Sequence, residues 1–213
     1  GSTRTTAQVD PAAFTEAMMA AAVAAGARLQ IGTVTGLAFA ADGTTITGAL
    51  VDGDEMTADA VVIAMGPWSL LASRWLPLPP VHGLKGHSLV FDYTPPADGR
   101  ALFVELEFDD QDVTSPEVFP RPDGTTYVCG LSSPAPLPLD PAQVTSNADA
   151  DETLRTMTAC FAPDLAAAPI VRAAACYRPV CDDGLPMIGA VPGYAGAYVA
   201  TGHNVWGMLN GPA

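Results

Sequence analysis

The sequence predicts an α+β fold, in which part of an α/β domain is joined to a domain built on an antiparallel or mixed sheet. Three observations lead to this prediction. A capped helix is followed by three short strands, the apolar run at residues 60–66 is typical of a parallel sheet, and strands with tight turns dominate the middle of the chain. The 213 residues, 49% of them hydrophobic, suffice for one large domain or two small ones.

The first element is a helix that begins at Asp10 and Pro11, because aspartate caps helices and proline is tolerated at the first helical position. Gly26 ends this helix, as glycine does just beyond a helical C-terminus. The Asp-Gly pairs at residues 42–43 and 52–53 predict tight hairpin turns, so the following strands form an antiparallel meander. These strands are predicted at residues 28–31, 34–40, 45–51 and 55–57.

The apolar run at residues 60–66 predicts a strand that is buried on both faces. A short helix is predicted at residues 69–76, and the proline cluster at residues 77–80 predicts a crossover between domains. We therefore expect one domain formed by residues 1–80 together with residues 182–213, and a second domain formed by residues 81–181.

Strands dominate the second domain, and a hairpin turn is predicted at its Asp123-Gly124 pair. The remaining C-terminal residues predict a strand, a glycine turn, a second strand and a glycine-rich loop. The predicted strands lie at residues 88–93, 101–108, 117–131 and 170–177, with a helix at residues 151–161.

The net charge of −14 argues against binding to nucleic acid or to an anionic membrane surface. No apolar run is long enough to predict a membrane span. The four cysteines form no C-x-x-C pair, the three histidines show no metal-ligand spacing, and the acidic residues 109–112 lack the glycine of a calcium-binding loop. We expect a cytoplasmic protein with reduced, mostly buried thiols and no metal site.

Two C-terminal motifs point to a function. An arginine precedes a proline in Cys176-Tyr177-Arg178-Pro179, and a glycine-rich loop follows at residues 202–207, Gly-His-Asn-Val-Trp-Gly. This pattern resembles the C-terminal signature of the FAD-dependent D-amino-acid oxidase and glycine oxidase superfamily. The resemblance covers the chain from about Ala7 onward. It implies a D-amino-acid-oxidase-like fold, with the first domain as part of an FAD-binding domain and residues 81–181 as the substrate-binding domain.

The resemblance implies that Arg178 pairs with the carboxylate of a small amine or amino-acid substrate; a structural salt bridge is the alternative. Tyr177, like Tyr127, is interpreted either as part of the substrate cavity or as a core residue. Trp206 stands where related oxidases place arginine or tyrosine, so its bulk predicts an apolar wall. Hydride transfer from the substrate Cα–H to flavin N5 is implied, without an obligatory catalytic side chain.

Residues expected at the cofactor come from three segments. The first is Ala64-Met65-Gly66-Pro67-Trp68, which resembles the family's A-x-G-x-W segment after a strand of the FAD sheet. The second is the loop with Gly202, His203, Asn204 and Gly207, which resembles the segment over the flavin pyrimidine ring; its backbone N–H groups would stabilise negative charge there. The third is Val34, which resembles the position whose backbone meets the adenine.

Cys176 and His87 have alternative interpretations. In the related sarcosine oxidase branch, a cysteine two residues before the position matching Arg178 carries the flavin covalently, and Cys176 has that spacing. A buried structural thiol is the other interpretation of Cys176. His87 is expected either to face the flavin or to lie in a loop.

The family's N-terminal G-x-G-x-x-G fingerprint, which holds the pyrophosphate, does not occur in this sequence. The resemblance therefore implies part of an FAD-dependent oxidoreductase acting on C–N bonds. We expect FAD in the full-length protein, weak or no FAD binding by this chain alone, and no turnover by it. The alternative is a non-catalytic binding or assembly domain that keeps the fold.

Overall fold

A computed structural model describes residues 7–96, 100–108 and 112–211. The first helix, α1, spans Pro11–Ala24, and the Asp10 carboxylate accepts hydrogen bonds from the amides of Ala12 and Ala13 at 2.9 and 3.1 Å. The predicted helix is therefore confirmed, together with its cap. The strand predicted at residues 28–31 is wrong: this segment is irregular, and Ile31 is almost fully exposed.

The predicted meander is present as a sheet of three antiparallel strands in the order β1-β2-β3. The Asp42 carboxylate accepts hydrogen bonds from the amides of Thr44 and Thr45, each at 2.8 Å, and so fixes the turn between the first two strands. The strands are β1 (Val34–Phe39), β2 (Ile46–Val51) and β3 (Asp54–Thr57).

A second sheet of three strands, in the order β12-β13-β4, contains a parallel pair. Strand β4 (Val61–Ile63) runs parallel to β13 (Ala197–Thr201), and β12 (Met187–Ala190) is antiparallel to β13. The expected burial of β4 on both faces is wrong, because β4 occupies an edge of this sheet and Val62 is 57% exposed.

A 3₁₀ helix at Gly66–Arg74 follows β4, where a short helix starting at residue 69 was predicted. It packs with both three-stranded sheets around one apolar core. The buried members of this core are Leu37, Ile46, Ile63, Ala72, Leu76, Val191, Ala197 and Val199.

The largest sheet has five strands in the order β11-β5-β10-β9-β6, all paired antiparallel. Its long strand β5 (Val81–Phe91), second in this order, pairs with β11 (Ile170–Cys181) along most of its length. The other members are β6 (Leu102–Phe103), β9 (Glu117–Pro120) and β10 (Thr126–Pro134). The strand predicted at residues 101–108 is broken into β6 and β7 (Leu106–Phe108), and β7 pairs separately with β8 (Asp112–Thr114).

Helices cover one face of the five-stranded sheet. Helix α2 (Ala148–Phe161) and helix α3 (Pro163–Ala167) pack against a second apolar core. The buried members of that core are Leu89, Phe91, Val118, Val128, Leu154 and Leu165. The opposite face carries the candidate site. A last short helix, α4 (Gly207–Asn210), follows β13, and no helix among the described residues is long and apolar enough to cross a membrane.

Candidate functional site

The open face of the five-stranded sheet forms the floor of a cavity of about 350 Å³. Side chains alternate between the two faces of a strand, so the register decides which residues meet here. Ser88 of β5 lies opposite Cys129 of β10 and Ala174 of β11, and Gly86 lies opposite Cys176. This floor also carries Glu117 of β9, which lies opposite Cys129.

Arg178 extends across this floor from the outer strand β11. Its Nη2 atom donates a hydrogen bond to the Ser132 hydroxyl of β10, so the side chain crosses β5. Gly86 lies beneath this crossing, and a Cβ atom there would lie in ordinary contact with the guanidinium at 3.7 Å. In the described part of the chain no carboxylate lies within ion-pair distance of Arg178, so the alternative of a structural salt bridge has no partner there.

A bulge in β10 sets the partner of Arg178. The pairing with β5 shifts between Cys129 and Leu131, and Gly130 in the bulge has φ +137°. The extra residue turns Ser132 to the same face as Cys129. A Cβ atom at Gly130 would overlap the Pro116 backbone, so the bulge requires glycine.

Burial and charge keep two groups on the floor protonated. Burial raises the pKa of the Cys129 thiol to about 11, the negative charge of Glu117 adds to the shift, and the charge of Arg178 opposes it. Burial also raises the pKa of Tyr127 above its ordinary value. At neutral pH the floor therefore carries a neutral thiol and a neutral phenol.

A second part of the site lies at the carboxyl ends of the parallel strands β4 and β13, the edge at which ligands bind in parallel sheets. The segment after β4 and the loop after β13 are joined by buried hydroxyl groups. Ser69 donates a hydrogen bond to Thr201 at 2.9 Å, and Thr201 donates to the Gly66 carbonyl at 3.0 Å. Gly66 has φ +52°, which favours glycine at this turn.

The loop at residues 202–207 connects this edge to the cavity. Gly202 and Asn204 both have positive φ, +81° and +50°. The Asn204 amide donates to the Pro179 carbonyl at 2.9 Å, one residue beyond Arg178, and Val205 lines the cavity. The loop therefore stands beside the arginine that the sequence singled out.

The structure brings several predicted cofactor residues together. Gly66 and Gly202 are joined through Thr201, and His203, Asn204 and Gly207 belong to the same loop. Ala64 is exposed at the end of β4, and the Trp68 indole donates to the Pro138 carbonyl at 2.7 Å. Val34 lies apart from this cluster, at the start of β1, and is 40% exposed.

Two residues predicted to bind the substrate, Tyr177 and Trp206, lie outside the lining of the Arg178 cavity. Tyr177 follows Cys176 on β11 and therefore points to the opposite face of the sheet, where its hydroxyl donates to the Pro136 carbonyl at 2.6 Å. Trp206 is 58% exposed and lies outside the lining of the cavity, next to Val205. The arginine and the two aromatic residues thus do not form one cluster.

His87 lies in strand β5 and not in a loop, and its side chain points away from the Arg178 face. Its Nδ1 atom is 3.1 Å from the Ser146 hydroxyl before α2.

The expectation of mostly buried thiols is wrong for two cysteines, because Cys160 and Cys176 are exposed. Cys176 borders the cavity, so it is not a buried structural thiol. Residues 109–111 of the acidic run lie outside the described residues.

A family model described as FAD dependent oxidoreductase matches residues 2–213, which is nearly the whole chain. The chain belongs to this family of FAD-dependent oxidoreductases. The cofactor of the family is FAD, and the resemblance inferred from the C-terminal motifs is confirmed.

Individual relatives agree with this assignment. The chain is 31% identical over 177 residues to a glycine oxidase of Pseudomonas putida, covering 79% of this chain and 42% of that protein. It is 29% identical over 158 residues to a putative oxidoreductase of Schizosaccharomyces pombe, covering 74% of this chain and 40% of that protein. The chain thus spans about two fifths of the length of these relatives.

Solved structures confirm the fold. The crystal structure of iminodiacetate oxidase from Chelativorans sp. BNC1 superposes with a TM-score of 0.78 at 22% sequence identity, covering 96% of this chain and 52% of that one. The prediction of a mixed α+β, D-amino-acid-oxidase-like fold is therefore confirmed.

The residues present fit part of a bound FAD. The edge formed by the ends of β4 and β13 is exposed at Ala64, and its turns depend on the positive φ values of Gly66 and Gly202. A Cβ atom at Gly66 would meet no atom within 4 Å, so this turn leaves room for a ligand against the backbone, whereas Gly202 is buried against Cys181. The adjacent loop presents Asn204 and Val205 toward solvent beside the Arg178 cavity.

Sequence reasoning missed Glu117, Ser132, Cys129 and Val205 as cavity residues. Their positions depend on the pairing of β9 with β10 and on the bulge at Gly130. The hairpin turn at Asp123-Gly124 was the available signal, because counting back from a hairpin pairs Glu117 with Cys129.

Proposed function

We propose that in the whole protein this cavity binds the carboxylate of a small amine or amino-acid substrate through Arg178, and that the protein oxidises the substrate's C–N bond. One observation carries the proposal. The Arg178 guanidinium is held by Ser132, lies over Gly86, borders the cavity, and lacks a carboxylate partner in the described chain. A planar guanidinium matches a carboxylate through two parallel hydrogen bonds.

The chain's own residues act by positioning. FAD, when bound, supplies the hydride acceptor for the oxidation. Arg178 fixes the carboxylate and thereby orients the Cα–H bond of the substrate. The loop at residues 202–207 borders one side of the cavity through Val205. We assign no catalytic acid or base to this chain.

We propose cofactor contacts for the residues around the ends of β4 and β13, namely Ala64, Gly66, Trp68, Gly202, His203, Asn204 and Gly207. The hydrogen bonds through Thr201 support this assignment, because they hold the two segments at one edge. Val34 is proposed to meet the adenine end, and its position outside the cavity lining and its partial exposure support this.

We propose that the chain divides into the two domains predicted from the sequence. Residues 1–80 with 182–213 form part of the FAD-binding domain, and residues 81–181 form the substrate-binding domain. The five-stranded sheet supports this division, because all of its strands lie between Val81 and Cys181. Trp206 is proposed to close the cavity from the FAD-binding side. Tyr177 supports the substrate domain indirectly by holding the Pro136 segment.

The test uses the complete reading frame loaded with FAD. Arg178→Met should abolish saturable turnover with a panel of amino acids and N-methyl amines, and should also abolish inhibition by acetate. Arg172→Met is the matched control, because Arg172 lies on the same strand but outside the cavity. Unchanged KM values in Arg178→Met would reject the carboxylate role. A parent protein that binds FAD but oxidises none of the panel would instead favour a non-catalytic domain.

A further inference from the structure

A second charged side chain borders the Arg178 cavity. Glu117 of β9 lies opposite Cys129, and its Oε2 atom accepts a long contact from the Cys129 thiol at 3.9 Å. In the described ranges no lysine or arginine nitrogen lies within ion-pair distance of Glu117. A half-buried carboxylate with only a weak thiol donor retains most of its capacity to accept hydrogen bonds.

Strand β10 carries the contact points of both charged side chains, Arg178 and Glu117. Arg178 contacts Ser132, and Glu117 contacts Cys129. Because Gly130 is bulged, Cys129 and Ser132 are successive residues on the cavity face. Successive same-face positions of a strand are about 7 Å apart. A ligand that bridges two contact points about this far apart has the size of one α-amino acid, whose carboxylate and amine are two bonds apart and each reach a partner through one hydrogen bond.

The electrostatics of the floor agree with that spacing. The pKa of the Cys129 thiol is raised by the charge of Glu117 and lowered by the charge of Arg178. Both charges therefore act on the same small region of the cavity. Ser88 and Tyr127, which line the same cavity, add neutral hydrogen-bonding groups to its floor.

We propose that Glu117 is a specificity-determining residue that binds the cationic amine of the substrate, so that the cavity selects zwitterionic amino acids with a single carboxylate. The inference rests on the proposed function, because it assumes that Arg178 holds the carboxylate of the same molecule. A substrate with a second carboxylate near the amine is repelled by Glu117, and a carboxylate that lacks an amine leaves Glu117 without its partner.

The experiment measures equilibrium binding to the complete protein with its FAD already reduced and without oxygen, so that no hydride acceptor remains and the amino acid stays unreacted. The ligands are the best amino acid of the panel, its 2-hydroxy acid analogue, and iminodiacetate. Glu117→Gln should weaken the amino acid at least ten-fold, leave the 2-hydroxy acid within about two-fold, and improve iminodiacetate binding. Glu152→Gln removes the same charge from the exposed side of α2, beyond the opposite face of the sheet, and should change none of the three.

The outcomes separate the two proposals. If Arg178→Met weakens both the amino acid and the 2-hydroxy acid, while Glu117→Gln changes both equally or neither, the role of Glu117 is rejected and that of Arg178 stands. If Arg178→Met weakens neither, the proposed function fails as well. Glu117→Asp, which keeps the charge on a shorter side chain, should recover part of the lost discrimination, which a merely structural role would not produce.

Discussion

The Gly86 backbone passes directly beneath the guanidinium of Arg178. A Cβ atom at position 86 would lie 3.7 Å from both Nε and Nη2 of that side chain. Gly86 also pairs with Cys176 on β11 and with Ser132 on β10. The arginine of β11 therefore reaches the serine of β10 across a residue of β5 that has no side chain.

Enlarging residue 86 should displace Arg178 in proportion to the added volume. Gly86→Ala places a methyl group in ordinary contact and should weaken carboxylate binding by less than about three-fold. Gly86→Val adds branches that occupy the guanidinium position, and should weaken it at least ten-fold. Valine favours strands, so unfolding in urea should show no large loss of stability. Equal acetate affinity in the two variants would contradict the expectation that a larger side chain at position 86 displaces Arg178.

Gly202 should tolerate alanine much less well than Gly184 does. Both have positive φ, +81° and +71°, so alanine strains either by about 1–2 kcal/mol. A Cβ at Gly202 also overlaps the Cys181 sulfur, whereas a Cβ at Gly184 meets no atom within 4 Å. We expect a loss of about 2–5 kcal/mol for Gly202→Ala in urea unfolding.

A double variant separates the clash from the backbone strain. Cys181→Ala removes the sulfur that the new Cβ would meet, so the combination with Gly202→Ala should be more stable than the sum of the single losses predicts. Strictly additive losses would show that the clash contributes nothing and that strain alone explains Gly202→Ala.

Local sequence signals predicted the parts of the fold that local physics controls. Asp10 caps α1, and Asp42 and Asp123 form their turns with neighbouring backbone and hydroxyl groups, so each was visible within a few residues. Arg178 was found because it lies within a motif. Glu117 was not predicted, since its place in the lining of the Arg178 cavity depends on the order of four strands and one bulge. The side of the strand on which Tyr177 lies could not be predicted, because the motif gave its position but not the face of β11.

His87 should make stability depend on pH. It is 2% exposed, and burial lowers its pKa below the ordinary 6.5, with Lys85 acting in the same direction and Asp151 opposing. The unfolded chain therefore takes up the proton more readily. Stability from neutral His87 is fully present above about pH 6.5 and is lost as the pH falls through the lower folded value.

Replacing His87 tests this directly. The free energy of unfolding of wild type should fall more steeply than that of His87→Leu between pH 6.5 and 4.5, by at most about 1.4 kcal/mol per pH unit. The measurement is urea unfolding at a series of pH values. Identical slopes in the two proteins would show that His87 does not titrate differently in the folded state.

Cys129 can report the two charges of the cavity without substrate or cofactor. Its thiol pKa of about 11 is raised by burial and by Glu117, and is lowered by Arg178. Only the thiolate is alkylated, so the pH dependence of the iodoacetamide rate at Cys129, followed by peptide mass spectrometry, measures this pKa. Exposed Cys160 on α2 serves as the internal reference.

Glu117→Gln should lower the pKa of Cys129 and Arg178→Met should raise it. Shifts in the same direction would mean that the two charges do not face one thiol, and the spacing argument for an amino-acid ligand would then fail.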